Sequence, residues 1–218
     1  MMTGAAATAG LAAWPALADP REVAPPKPEP VKLFAEGPLA GNLLAREFEV
    51  PQPPLVWPTG LRLKGYNKQQ TTIETYRGKT LVVSLWAEWC PPCLYEMPGF
   101  AYLESRTRSD TFQILPILTS SARFYRPDDA KPLLERLHAK DMPILMEKRD
   151  RLVSTLGRDE RSPTGGLPCN LLIDPQGRIR GRQIGGQRFE GPQGDKYSIW
   201  ATKAALDFVK ALAAGALV

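Results

Sequence analysis

Residues 79–103 read KTLVVSLWAEWCPPCLYEMPGFAYL, and this stretch decides the fold. Leu81–Ala87 is a short apolar run, the pattern of a strand buried on both faces. Cys90-Pro91-Pro92-Cys93 follows directly, and apolar periodicity through Tyr95, Phe100, Tyr102 and Leu103 predicts a helix. Pro91 and Pro92 suit a helix's first turn, where backbone N–H groups are unpaired anyway. Cys90 is thereby placed at a helix N-terminus, at the end of a buried strand.

That placement suits thiol chemistry. Disulfides exchange by thiolate attack, and a helix N-terminus stabilises a thiolate through its dipole and free N–H groups. Cys93 lies three residues on, so the first helical turn brings the two sulfurs within bonding reach. Cys90 is expected to be the exposed attacking thiol and Cys93 the deeper, resolving one.

The stretch resembles the thioredoxin superfamily. Trp86-Ala87-Glu88-Trp89-Cys90 matches the WAEWC run of thioredoxin itself, and Pro98 matches its helix-kinking proline. A closer resemblance is to the exported TlpA-like (ResA-like) branch, whose W-C-x-P-C-x-x-E-x-P pattern falls on Trp89, Cys90, Pro92, Cys93, Glu96 and Pro98. A second motif, Gly166-Leu167-Pro168-Cys169-Asn170 followed by Leu171–Arg178, matches the family's cis-proline turn, strand and hairpin. The cis residue would be Pro168, about 75 residues after Cys93. The resemblance covers roughly residue 61 to the C-terminus. It implies an α/β thioredoxin fold, a central mixed β-sheet flanked by helices. It also implies substrate contacts through Trp89, Pro91, Pro92, Leu167 and Pro168.

Several positions depart from the pattern or extend it. Thioredoxin has a buried Asp where Ser84 stands, and Ser cannot hold a proton reservoir near neutral pH. The TlpA-like resemblance offers Glu96 instead, one helical turn after Cys93, as the group that takes and returns the resolving thiol's proton. A solvated helix-face acid is the plainer reading of Glu96. Cys169 follows the cis-proline where the family usually has Thr or another small residue. It reads either as an inert buried thiol or as a third redox thiol. Arg178, Arg180 and Arg182 alternate along a predicted strand and share a face, either solvated or steering acidic partners.

The rest of the chain sets bounds. Of 218 residues, 43% are hydrophobic and 23% charged, which excludes wholesale disorder. The net charge of +5, without a block of like charges, argues against nucleic acid as a principal partner. No apolar run approaches the roughly 18 residues of a spanning helix, so a polytopic membrane protein is excluded. Residues 1–18 are uncharged, Ala-rich and end in Ala16-Leu17-Ala18, the pattern of a signal peptide without its basic leader. An uncleaved N-terminus would instead act as a membrane tether. Residues 19–58 hold 10 of the chain's 22 prolines, which forbids regular helix. The expected organisation is a signal peptide over 1–18, a Pro-rich tether or irregular extension over 19–50, and a thioredoxin-like domain over 51–218. Further elements are expected as strands at 111–119 and 143–147, helices at 129–140 and 149–156, a turn at 174–177 and a closing helix at 197–213.

The function expected is that of an exported, periplasmic thiol–disulfide oxidoreductase, with secretion or membrane tethering as lesser alternatives. It would reduce protein disulfides through the CPPC dithiol, in cytochrome c maturation or copper-site assembly. The family implies a membrane protein with its own dithiol as electron donor. No cofactor and no metal are expected. Reduction is favoured because neither Pro between the cysteines offers charge or an N–H to a thiolate, whereas strong oxidants of this fold carry a His there. The alternative is a non-catalytic copper-binding or chaperone module. A zinc site from Cys90, Cys93, Cys169 and His138 and a peroxidatic cysteine are minor readings. His138, the single histidine, falls in a separate predicted helix.

Overall fold

A computed structural model describes residues 29–158, 165–186, 188–190 and 196–217. The expected signal peptide over 1–18 lies outside them. The strand run becomes β3 (Thr80–Trp86), with every residue buried, and the helix after it is α1 (Pro91–Thr107). Around them stand β1 (Leu63–Lys64), β2 (Gln70–Thr71), β4 (Phe112–Leu118), α2 (Lys131–Arg136) and β5 (Leu145–Met146). They are followed by β6 (Cys169–Ile173), β7 (Ile179–Ile184), the pair β8 (Arg188–Glu190) and β9 (Lys196–Ser198), and α3 (Lys203–Ala213). The main sheet runs β2-β1-β5-β4-β3-β6-β7. β3, β4 and β5 are parallel, whereas β6 pairs antiparallel with both β3 and β7. This is the mixed sheet with helices that was expected. No described helix is long and apolar enough to cross a membrane.

Two helices begin or end away from their expected limits, each for a local reason. The helix expected over 129–140 is a short 3-10 turn, Pro127–Ala130, followed by α2. It stops because His138 takes a left-handed backbone, φ 54°, and ends exposed on the surface. The closing helix starts at Lys203 rather than at 197. Ser198 and Thr202 each accept a backbone N–H, from Trp200 and Ala205, so two caps start two separate pieces. The first piece is the 3-10 turn Ile199–Ala201, which buries Trp200 completely.

That turn is the keystone of the packing. Phe100 of α1 lies against Trp200 with ring centroids 4.7 Å apart, and Phe48, Phe208 and Phe34 extend the cluster. Phe48 and Phe34 come from the proline-rich chain before the sheet. Glu49 of that segment exchanges two backbone hydrogen bonds of 2.9 Å with Arg182, covering the edge of β7. Asn42 caps the turn that follows it through its Oδ1 and reaches Ala204 of α3 through its Nδ2.

The buried face of α1 is Cys93, Glu96, Met97, Phe100, Leu103, Glu104 and Thr107, spaced three and four apart. Gly99 belongs to the same helix and lets it meet the 199–201 turn at backbone contact. A Cβ there would sit 2.7 Å from the carbonyl carbon of Trp200. Gly99→Ala should therefore destabilise the chain by about 1–3 kcal/mol in urea unfolding, despite the ~1 kcal/mol helix preference of Ala over Gly. A variant as stable as the wild type would show that this contact does not constrain α1.

Candidate active site

β3 ends at Trp86, and Cys90 takes extended geometry as the N-cap of α1, with Pro91 and Pro92 in the first turn. Cys90 and Cys93 form a disulfide with Cα atoms 5.3 Å apart. Both cysteines are at most 1% exposed. The expectation that Cys90 is exposed is thus corrected for the oxidised chain: its sulfur is bonded to Cys93 and both residues lie within the core. The exposed surface at this end of α1 belongs instead to Pro91, Trp89 and Tyr95.

Two lips flank the disulfide. One is the loop after β4. The Trp89 indole N–H donates to the Ser120 carbonyl at 2.7 Å, and Glu88 Oε1 accepts the backbone N–H groups of Ala122 and Arg123. Trp89 remains about half exposed while fixed at its nitrogen. The other lip is the turn before β6, where the Leu167–Pro168 peptide is cis and both residues are buried. Gly166 precedes it with φ +100°, and a Cβ there would overlap the Gly157 carbonyl oxygen. The Pro168 carbonyl accepts from Gly185 N–H at 2.9 Å, and the neighbouring Gly186 packs directly on Pro92. The cis-proline turn is thereby tied to the CPPC segment through Gly185–Gly186.

Glu96 is buried, 1% exposed, one turn after Cys93. The solvated-face reading is overturned: this position lies on the inner stripe of α1. Asn170 Nδ2 donates to its Oε2 at 3.3 Å. Loss of hydration pushes its pKa up to about 8, against the opposing pull of the Asn170 amide and the Trp200 indole. The indole N–H is near enough to exert that pull but makes no formed hydrogen bond, and Trp200 Nε1 and Glu96 Oε1 both lack partners. Ser84 is buried with its Oγ unpartnered.

The other candidates fall elsewhere. Cys169 is fully buried and lies outside the Cys90–Cys93 disulfide, with its Sγ 3.7 Å from the Leu156 carbonyl oxygen. It neighbours Asn170 in β6, so it points to the sheet face away from Glu96. Arg178 and Arg180 both pair with the buried carboxylate of Asp174, at 2.6 and 3.3 Å, and so clamp a hairpin turn. Among the described residues no three or more His, Cys, Asp and Glu side chains gather as a metal-ligand set. Reading the residues alone missed Asn170 and Gln183. The available signal was an amide inside the otherwise apolar strand CNLLI, facing a second amide in the next strand.

The buried acid makes stability depend on pH. Its pKa is about 8 folded against an ordinary 4.5, so the folded chain holds the proton more firmly between those values. Stability is therefore lost as pH rises through that window. Glu104 is also raised by burial, but it is common to both variants in a comparison. Urea unfolding of the oxidised chain should show wild type losing stability relative to Glu96→Gln as pH rises from about 5 to about 8. A difference independent of pH would mean that Glu96 does not titrate in this window.

Comparison with known proteins agrees with this geometry. The Redoxin family model matches residues 47–195, more than half of the chain. The thiol-disulfide oxidoreductase ResA of Geobacillus thermodenitrificans is 27% identical over 105 residues, covering 48% of this chain and 54% of that protein. ResA of Bacillus thuringiensis is 25% identical over 122 residues, covering 56% of this chain and 64% of that protein. The chain thus spans between half and two thirds of the length of these relatives. In fold, it is similar to a candidate thiol:disulfide interchange protein DsbE of Chlorobium tepidum, with a TM-score of 0.51. That likeness is at 17% identity and covers 71% of this chain and 93% of that one. The chain has the thioredoxin fold and belongs to the Redoxin family.

Proposed function

We propose that this protein is an exported thiol–disulfide oxidoreductase that reduces disulfides of other proteins through Cys90 and Cys93. The observation that carries the reading is a disulfide at the N-terminus of α1 with a buried carboxyl one turn below it. In the reduced chain, the Cys90 thiolate attacks one sulfur of a substrate disulfide, and the other substrate sulfur leaves as a thiolate. Cys93 then gives up its proton, attacks the Cys90 sulfur and releases the second substrate thiol. Two electrons pass from the dithiol to the substrate, and the CPPC disulfide is restored. Glu96 takes the Cys93 proton in this step. When an external dithiol reduces the pair again, Cys93 leaves as a thiolate and Glu96 returns the proton. A carboxyl with a pKa of about 8 suits both directions near neutral pH.

Trp89, Pro91 and Pro92 offer the surface on which a substrate strand would rest, and Leu167 and Pro168 form the opposite lip. The reducing direction is supported by the two prolines, which give a thiolate neither charge nor N–H. The Ala-rich residues 1–18 support export to the periplasm, where a membrane dithiol protein would supply electrons and cytochrome c or copper-site assembly would consume them. The organisation we propose remains a signal peptide over 1–18, a proline-rich tether or irregular extension over 19–50, and one thioredoxin-like domain over 51–218.

Two measurements test the reading. With a dithiol donor, the protein should reduce insulin, Cys90→Ser should abolish the activity, and Cys93→Ser should accumulate mixed disulfides through Cys90. Stoichiometric copper binding without reductase activity would favour a metal-binding module instead. Titration in glutathione buffers should place the potential nearer thioredoxin's roughly −270 mV than the oxidant value of about −120 mV. A potential near the oxidant value would reverse the direction assigned.

A further inference from the structure

Ser84, Asn170 and Gln183 stand in one row across β3, β6 and β7. Ser84 pairs with Asn170, and Asn170 with Gln183, in the strand register. All three are buried, and directly paired residues share a sheet face. This row lies on the face towards α1, since Asn170 reaches Glu96.

The direction of the amide bonds in this row is set at one end. The Gly185 carbonyl can only accept, and it accepts from Gln183 Nε2. Gln183 Oε1 must then face Asn170, where only a donor satisfies it. Asn170 Nδ2 supplies that donor at 2.6 Å and turns its other hydrogen towards Glu96 Oε2 at 3.3 Å. The cost is visible: Asn170 Oδ1 is buried without a partner. An Asn amide free to rotate could offer Glu96 either edge, a donor to the carboxylate or an acceptor to the acid. Held by Gln183, it offers the donor.

We propose that Gln183, anchored on the Gly185 carbonyl, is a positioning residue that locks the Asn170 amide with its donor edge on Glu96 and so eases release of the Glu96 proton. This rests on the reading of Glu96 as the proton carrier for Cys93. Among the described residues, the groups at Glu96 are the Asn170 amide from β6, the Trp200 indole from the 199–201 turn, and Cys93 one turn earlier on its own helix. None of them is charged, and Cys93 does not titrate in the disulfide. The amide's orientation is then the adjustable influence on that proton.

The test is a carboxyl 13C NMR titration of the full-length oxidised chain, with the Glu96 resonance identified by its loss in Glu96→Gln. Gln183→Met should move the Glu96 midpoint up by about one pH unit, as the freed Asn170 turns its oxygen to the neutral acid. Asn170→Leu should also raise it, and Gln183→Met should add nothing in that background, because Gln183 acts through Asn170. Gln183→Leu gives the same readout should Gln183→Met fail to fold. An unchanged midpoint in the Gln183 variants, or a shift of the same size without Asn170, overturns the proposal while leaving the Glu96 assignment intact. Failure of the assignment looks different: no resonance removed by Glu96→Gln titrates above the ordinary carboxyl range. In that case both readings fall.

Discussion

The arrangement depends on keeping one carboxyl group away from water with no charged partner among the described residues. Burial favours the neutral form of Glu96, because the carboxylate would lose its hydration. The Asn170 amide and the Trp200 indole pull the other way, and the balance leaves the acid with a pKa of about 8. Each of these two groups comes from a separate element. α1 must therefore be held at a fixed depth against both β6 and the 199–201 turn, and Gly99 permits the second of these approaches.

The support reaches further than the site. Trp200 is held among Phe48, Phe100 and Phe208, and Phe48 is contributed by the proline-rich segment ahead of the sheet. That segment also covers the edge of β7, the strand that carries Gln183. This irregular, proline-rich extension thus backs the wall on which the acid's environment is built. The opposite lip follows a similar economy. Glu88 and Trp89, adjacent to Cys90 in sequence, hold the loop after β4 through Oε1 and the indole N–H, leaving the Trp89 ring outward.

Legibility varied with how local the cause was. Strand, cysteine pair and helix onset could be read from residues 79–103 because each rests on short-range geometry: apolar continuity, proline at a helix start, and three-residue spacing. The limits of α2 and α3 were harder. They turn on a left-handed residue, His138, and on two competing caps, Ser198 and Thr202, all weak signals against helical periodicity. The depth of Cys90 was misjudged because a place at a helix start does not report how far distant segments bury it.

What the sequence determined by itself was the chemistry available: a dithiol at a helix N-terminus, a glutamate one turn later, and a proline turn leading into a strand. Covalent spacing and backbone preference suffice for these, and both act within a few residues. Only the tertiary structure decided the environment of that chemistry. It turned Cys169 to the far face of the sheet, set Asn170 on Glu96, and aligned Gln183 behind Asn170 through the register of three strands. Desolvation and hydrogen-bond direction depend on which distant segments meet, and residues 96, 170, 183 and 200 come together only when the sheet and α1 close on each other.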